Sequence, residues 1–552
     1  MKKIILCIFT LLVMLPAAFG GQLQERVYIA TDRDVYVAGD CVWMSAWCVD
    51  ASTGTLSDFS RTAYVELHSP AGTVQTAKIA LSGGRGAGTL SLPNTLDTGN
   101  YSIIAYTMAG ASEKDFDPST GERIISVFNT FSTARIDGGV TVVDQAPEAI
   151  GRSFCGPLAI KSSGKVVRVT NNGSRKALFS LSVHHSDGIP SPESRSIEQF
   201  CTAVKALPAG GGADPDVLEY EGEIIRARVT GTDAAGIRAL EGKVAFISSP
   251  GDGSNVYTSS IEPDGSVTFY TSNIFDEQDM FLEIEGVERD NVCHLEIERP
   301  FRDFAAGDIP VLPICSGYAE ALRLRSLGMQ LEHNFDDPEL YTPLPYYSQA
   351  VFEAKRCKVY KLDDYTRFPV MEELFTEFIP ELRIRRNEGV RELQVRISDP
   401  VGNTFFSSGT ALVLLDGVPV LDHEKIFAYD PLLVQRIEIF PDSYFLGIRS
   451  FRGVVNFVTY KGTLPSVRFE DNVRIVTFQG CSLPLAYTGE NTDAEYPDYR
   501  QTIWWHPLLE LAPGETLEIE CKSPAYTGDF RLSVEGLDDQ GSPVCTGAEL
   551  RF

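Results

Sequence analysis

The chain has 552 residues, 43% of them apolar; at roughly 100–200 residues per domain this is enough for several packed cores. Its formal charge of −27 repels phosphate backbones and anionic headgroups, which removes nucleic acid and acidic membrane surfaces as default partners. The 11 cysteines include no CxxC pair and no His/Cys cluster at zinc spacing, so a zinc-built fold is excluded as well.

Residues 1–20 predict a secretory leader. Lys2 and Lys3 precede an apolar run, Ile4 to Leu15, broken only by Thr10, and Pro16-Ala17-Ala18-Phe19-Gly20 supplies small residues for cleavage after Gly20. The run is too short to span a bilayer. Cys7 follows Leu6 rather than a small residue, so no lipid anchor is expected. The expected localisation is export, to the periplasm or the outer membrane, with surface exposure left open.

Residues 21–133 read as an antiparallel β-sandwich. The unit opens with Val27–Asp40, and Val42–Trp47, Ala63–Leu67, Leu90–Pro93 and Gly99–Tyr106 follow as short alternating stretches, with glycine, aspartate and asparagine turns between them. The order TDRDVYVAGD, YVEL, LSLP, GNYSIIAY resembles the second macroglobulin-type domain of the alpha-2-macroglobulin family. The thioester motif of its full-length members, CGEQ, is absent, so the resemblance does not imply covalent trapping of proteases.

A β-rich stretch follows over 134–212, with strands near Lys165–Thr170 and Leu178–His184. It closes on a linker at Gly210-Gly211-Gly212 with Pro208 and Pro215 beside it. Residues 213–302 carry strands at Ile224–Val229, Lys243–Ser248, Val267–Tyr270 and Phe281–Ile284 and resemble an immunoglobulin-like β-sandwich. Residues 303–355 form a helical connector, in which Leu322, Leu324, Leu327 and Leu331 recur at helical intervals over Ala319–Glu332.

The most informative region is 356–462. A helix is predicted over Val370–Phe378, its Met371, Leu374, Phe375 and Phe378 forming an apolar stripe for a sheet. Val413 and Leu415 alternate on one strand, Ile437 and Ile439 on another. Asp416-Gly417 between alternating residues predicts a tight turn open mainly to glycine. The run Leu415-Asp416-Gly417-Val418-Pro419, the step Asp430-Pro431, Val434, Arg436–Ile439, and the strand Gly453–Thr459 resemble the plug domain of TonB-dependent outer-membrane receptors. In that family the plug fills a large barrel; at about 9–11 residues per membrane strand, Thr463–Phe552 cannot supply one. A plug without its barrel implies an accessory or interaction role. The segments YKLDDYTRFP…MEELF and, at 497–507, PDYRQTIWWHP resemble exported envelope proteins that combine both domain types, with a C-terminal β-sandwich over 463–552.

Two segments are expected as loops outside the plug-like sheet, Pro419–Glu424 and Asp442–Arg449. The second carries Tyr444, Phe445 and Leu446, the candidate partner-binding residues, because exposed aromatic clusters anchor many interfaces. Other chemistry-bearing residues read as bland. Cys41 and Cys48 face opposite sides of one strand, and Cys521 and Cys545 can bridge only if their strands pair. His184 and His185 are adjacent, so they point to opposite faces as surface or edge residues. Asp115–Glu122 departs from a calcium loop at its glycine and lacks the final glutamate, which makes it a turn. Asp363-Asp364 and Glu372-Glu373 read as solvated charges, and no hydrolase elbow, phosphate loop or dinucleotide fingerprint is present.

The reading is a mainly β protein: tandem macroglobulin-like and immunoglobulin-like β-sandwiches, a small α/β plug-like domain and a C-terminal β-sandwich. No catalytic, cofactor-binding or metal residue is assigned, and no cofactor or small-molecule substrate is identified. The expected partner is an outer-membrane barrel or envelope complex, with no nucleic acid. A surface adhesin of stacked sandwiches and a secreted hydrolase with a site hidden from sequence are the alternatives.

Overall fold

The structure, a computed structural model, describes residues 23–551 except 133–138, 148–154, 209–211, 252–254, 273, 288–292, 306, 336–337, 347–351, 353–355, 388, 399–401, 408, 468, 470–471, 490–496, 522–524 and 526–527. The leader expected over 1–20 and linker residues Gly210 and Gly211 lie outside the described residues. The protein is mainly β. It divides into two compact units, one from Met1–Gly222, Phe301–Tyr347 and Cys481–Phe552, the other from Glu223–Pro300 and Ser348–Gly480.

The first unit opens with a sandwich built from contiguous sequence. Glu25–Thr31, Cys41–Asp50, Thr55–Leu56 and Arg85–Ser91 form one sheet; Val35–Val37, Arg123–Phe128, Gly99–Tyr106, Thr62–Ser69 and Gly72–Ala80 form the other. Val27, Ile29, Val42 and Met44 meet Val65, Leu67, Ile103 and Ile125 in the core between them. Alternation along Glu25–Thr31 does not end in a solvated face, since every residue of that strand is buried. Tyr28, Ala30 and Trp47 pack instead with Phe200, Val204 and Leu537.

The same unit contains a second sandwich that differs from the expected division. Leu158–Ser163 and Val166–Asn171 share a sheet with Thr516–Glu520, and Ala177–Ser186 lies between Thr502–Leu511 and Asp529–Asp538 in a sheet of six strands. The stretches expected as separate modules, 134–212 and 463–552, thus contribute strands to one core, with Val167, Phe179 and Val183 against Ile503, Phe530 and Leu532. A strand too apolar for solvent on either face recruits partners from wherever the chain supplies them. Cys545 is disulfide-bonded to Cys155, not Cys521, because the two backbones pair across a β-bridge. The connector over 303–355 is not purely helical, since Leu312–Ile314 and Tyr341–Pro343 are strands. Its helix Ala319–Asn334 buries Arg325, Gly328 and Met329 rather than the leucine stripe. Arg325 explains the rotation: at 4% side-chain exposure it pairs with Asp187 at 2.6 Å and donates to the Val35 carbonyl at 2.5 Å.

In the second unit, Ser266–Tyr270, Ile224–Thr230 and His294–Ile297 face Asn255–Ser260, Val244–Ser249 and Glu277–Ile284. The last sheet is completed by Arg474–Gln479, so this sandwich also extends beyond the expected 213–302. Between its pieces lies a mixed five-stranded sheet in the order Lys358–Lys361, Val434–Leu446, Arg449–Thr459, Leu412–Leu415, Val418–Pro419. Val413, Leu415, Ile437 and Ile439 bury one face with Met371, Leu374 and Phe375 of the helical stripe. Leu412, Leu414 and Phe440 bury the other with Val244 and Phe246. Two covered faces account for the unbroken apolar run ALVLL.

Candidate functional site: the hairpin of the mixed sheet

The hairpin is positioned by a polar anchor at the Asp416-Gly417 turn. Asp416 and Gly417 have φ of 47° and 86°, and Leu415 pairs with Val418 across them. Two successive positive φ values make the two-residue turn that matches strand twist, which is why Asp-Gly stands there. The Asp416 carboxylate, 2% exposed, accepts from the Thr459 N–H at 2.6 Å, the Thr459 hydroxyl at 2.7 Å and the Leu464 N–H at 2.9 Å. It locks the end of Arg449–Thr459 to the turn, while Asn456 accepts from the Gly417 N–H at 3.1 Å.

From that anchor the hairpin of Val434–Leu446 and Arg449–Thr459 runs to a tip at Gly447-Ile448. Tyr444, Phe445 and Leu446 were expected in a loop; they are strand residues, paired with Phe451, Ser450 and Arg449. A register shift between Phe440 and Ser443 absorbs Pro441, so the ladder resumes beyond it. Strand alternation then separates the three. Tyr444 turns inward, edge-on to Phe352 at 5.2 Å, and Leu446 is buried with Val256. Phe445 is 78% exposed, joined at the tip by Ile448 at 59%.

The tip is braced. Leu446 accepts from the Thr258 hydroxyl through its carbonyl, Arg449 pairs with Glu285, and Arg356 pairs with Asp442 at 2.5 Å. Gly447, at φ 53°, sits where a Cβ would come within 2.3 Å of the Thr258 carbonyl. The other segment expected as a loop, Pro419–Glu424, begins in a strand and ends in the short helix Glu424–Phe427. Ile448 was missed in the sequence; its signal is the two-residue turn between apolar runs of matching length.

The remaining singled-out residues fall elsewhere. His184 and His185 lie on a central strand, not an edge; burial lowers the pKa of His185, whose ring sits 5.4 Å from Phe530. Cys41 and Cys48 pack into separate clusters. Asp115–Glu122 ends in a 3-10 turn capped by Asp117. The acidic pairs are not simply solvated: Glu372 pairs with Arg391, and Asp363 accepts from the Tyr460 hydroxyl at 2.5 Å. Among the described residues, no group of three or more His, Cys, Asp or Glu side chains is placed to hold a metal. Nor is any helix there long and apolar enough to cross a membrane.

In the first unit, two distant sequence motifs close on each other. Asp32, 1% exposed, accepts from Tyr36 at 2.7 Å, the Trp43 N–H at 3.1 Å and Thr502 at 2.5 Å. Arg33 bridges Asp32 at 3.0 Å and Asp40 at 2.8 Å. Burial raises the pKa of Asp32, and Arg33 with the three hydrogen bonds opposes that rise. TDRDVYVAGD and RQTIWW are thus two halves of one buried polar knot.

The sequence matches no protein-family model and no curated protein. Among solved structures, trypsin-activated alpha-2-macroglobulin from Escherichia coli aligns at a TM-score of 0.24 and 8% identity, over 96% of this chain and 41% of that one. Salmonella alpha-2-macroglobulin reacted with methylamine aligns at 0.23 and 9%, over 96% and 40%. The Escherichia coli adhesin FdeC aligns at 0.14 and 13%, over 48% and 61%. The chain therefore spans about two fifths of the macroglobulins' length. Superpositions this loose carry no argument about kinship or activity.

Proposed function

We propose that the protein is a non-enzymatic binding or scaffold component of the cell envelope. It docks onto an outer-membrane barrel or envelope complex through its plug-like module. The observation that supports this reading is the hairpin tip, where Phe445 and Ile448 stand exposed on a frame held by Thr258, Glu285 and Asp442. Exposed apolar side chains on a rigid support bind with little ordering cost, the property of interface anchors.

The test is affinity capture from detergent-solubilised envelope with the intact protein and with a Phe445→Ser, Ile448→Ser variant. Loss of a barrel partner at unchanged melting temperature is the expected result. Equal recovery by both proteins removes the tip from the interface. Tyr444 is unsuitable as a probe, since its inward ring would confound binding with stability.

A further inference from the structure

A cleft of about 560 Å3 opens in the first unit beside the polar knot, within the roughly 300–1,000 Å3 common for small-molecule sites. Asp40, Asn94 and Phe131 come from the N-terminal sandwich, Glu332 from the last turn of Ala319–Asn334, and Tyr341 from the following strand. We propose that this cleft is a binding site for a short neutral carbohydrate. The site is independent of the hairpin.

Two aromatic rings line the cleft. Tyr341 is stacked on Trp43 and Tyr487, with centroids 5.6 and 5.4 Å away, which fixes it as a rigid platform. Phe131 is 51% exposed at the rim. A sugar ring presents C–H surface to such faces and hydroxyls around its edge. The polar groups suit those hydroxyls. Among the described residues, no hydrogen bond or ion pair engages the side chain of Asn94 or Glu332. The amide both donates and accepts, and the Glu332 carboxyl, its pKa raised to about 7 by loss of solvent, accepts when ionised and also donates when protonated, so together they meet the mixed character of adjacent hydroxyls.

Charge argues for a neutral ligand. Asp40 is committed to Arg33 at 2.8 Å, and Arg500 to Asp498 at 2.8 Å. Charges of both signs act on Glu332, among them Arg33 and Arg500 against Asp40 and Asp498. An anion would meet the Glu332 carboxylate, and a cation would have only that one carboxylate to pair with, which is why an alkylammonium is the competing probe.

The test titrates the intact protein by calorimetry with short neutral α- and β-linked hexose oligosaccharides, alongside an alkylammonium probe. Phe131→Ala and Glu332→Gln are the variants, and both side chains are exposed enough to change without unfolding the sandwich. Tryptophan fluorescence confirms the fold, since Trp43, Trp47, Trp504 and Trp505 all belong to this unit. The expected result is saturable oligosaccharide binding, weakened about tenfold or more in each variant, the loss of one well-placed contact. Phe445→Ser should leave it unchanged. No binding at millimolar sugar, binding of the alkylammonium alone, or sugar binding indifferent to both variants overturns the proposal.

Discussion

Replacing Asp416 by alanine tests whether the polar anchor holds the mixed sheet together. The substitution strands the Thr459 N–H, the Leu464 N–H and the Thr459 hydroxyl, all now bonded to the carboxylate at 2.6–2.9 Å in a site 2% exposed. A buried donor left without an acceptor costs about 1–3 kcal/mol, and the hydroxyl alone can rotate toward another partner. Alanine at φ 47° adds about 1–2 kcal/mol that aspartate and asparagine largely avoid. With two stranded N–H groups, the sum is about 3–8 kcal/mol, a large part of a typical domain's margin. Asp416→Gly separates the two causes, because it removes the carboxylate while sparing the backbone. Tryptophan fluorescence is blind to this unit, since all four tryptophans lie in the other. Hydrogen exchange of peptides from Leu412–Leu415 and Arg449–Thr459, followed through a urea series, is the suitable assay. Alanine and glycine variants both within about 1 kcal/mol of the parent would refute the anchoring role.

Ile437→Ala, at a fully buried position in the shared core, should cost about 2–5 kcal/mol by the same exchange assay; a smaller loss would mean that the site collapses around the deletion. His423 is 7% exposed, its Nδ1 accepts from the Leu393 N–H at 3.0 Å, and burial lowers its pKa to about 4. The unfolded chain therefore binds the proton first, so stability should be full above about pH 6.5 and decline as pH falls toward 4, by up to about 3 kcal/mol from this residue. His423→Gln should flatten that slope in calorimetric melts between pH 7 and 5. Cys545→Ala removes the bond to Cys155 and should destabilise the first unit by about 2–5 kcal/mol, read by tryptophan fluorescence.

Much of the mixed sheet was legible because its signals are local. Val413 and Leu415, Ile437 and Ile439 alternate along their strands, Asp416-Gly417 specifies its own turn, and Met371, Leu374 and Phe375 form one stripe. What failed depended on distant partners. Tyr444-Phe445-Leu446 read as a loop between strands, and only pairing with Phe451 and Arg449 shows that the ladder resumes beyond Pro441. The leucines of Ala319–Glu332 marked the helix correctly, but its buried side is set by the Arg325–Asp187 pair, which hydrophobic periodicity does not register. Phe131, Glu332 and Tyr341 carry no motif at all; the cleft they line exists only once the first unit is closed.

The placement of Ala177–Ser186 between Thr502–Leu511 and Asp529–Asp538 has a consequence for the order of assembly. A chain emerging from its N-terminus can close the 25–128 sandwich early, since all its strands are already present. The central strand of the six-stranded sheet must wait, with both edges unpaired, until nearly the whole polypeptide has been delivered. The second unit is similarly held open until Arg474–Gln479 arrives. Open strand edges template aggregation, and pairings this remote form slowly. The interval before the last strands arrive is therefore when the protein most needs a holding chaperone, and loss of residues beyond Thr502 would make that exposed state permanent.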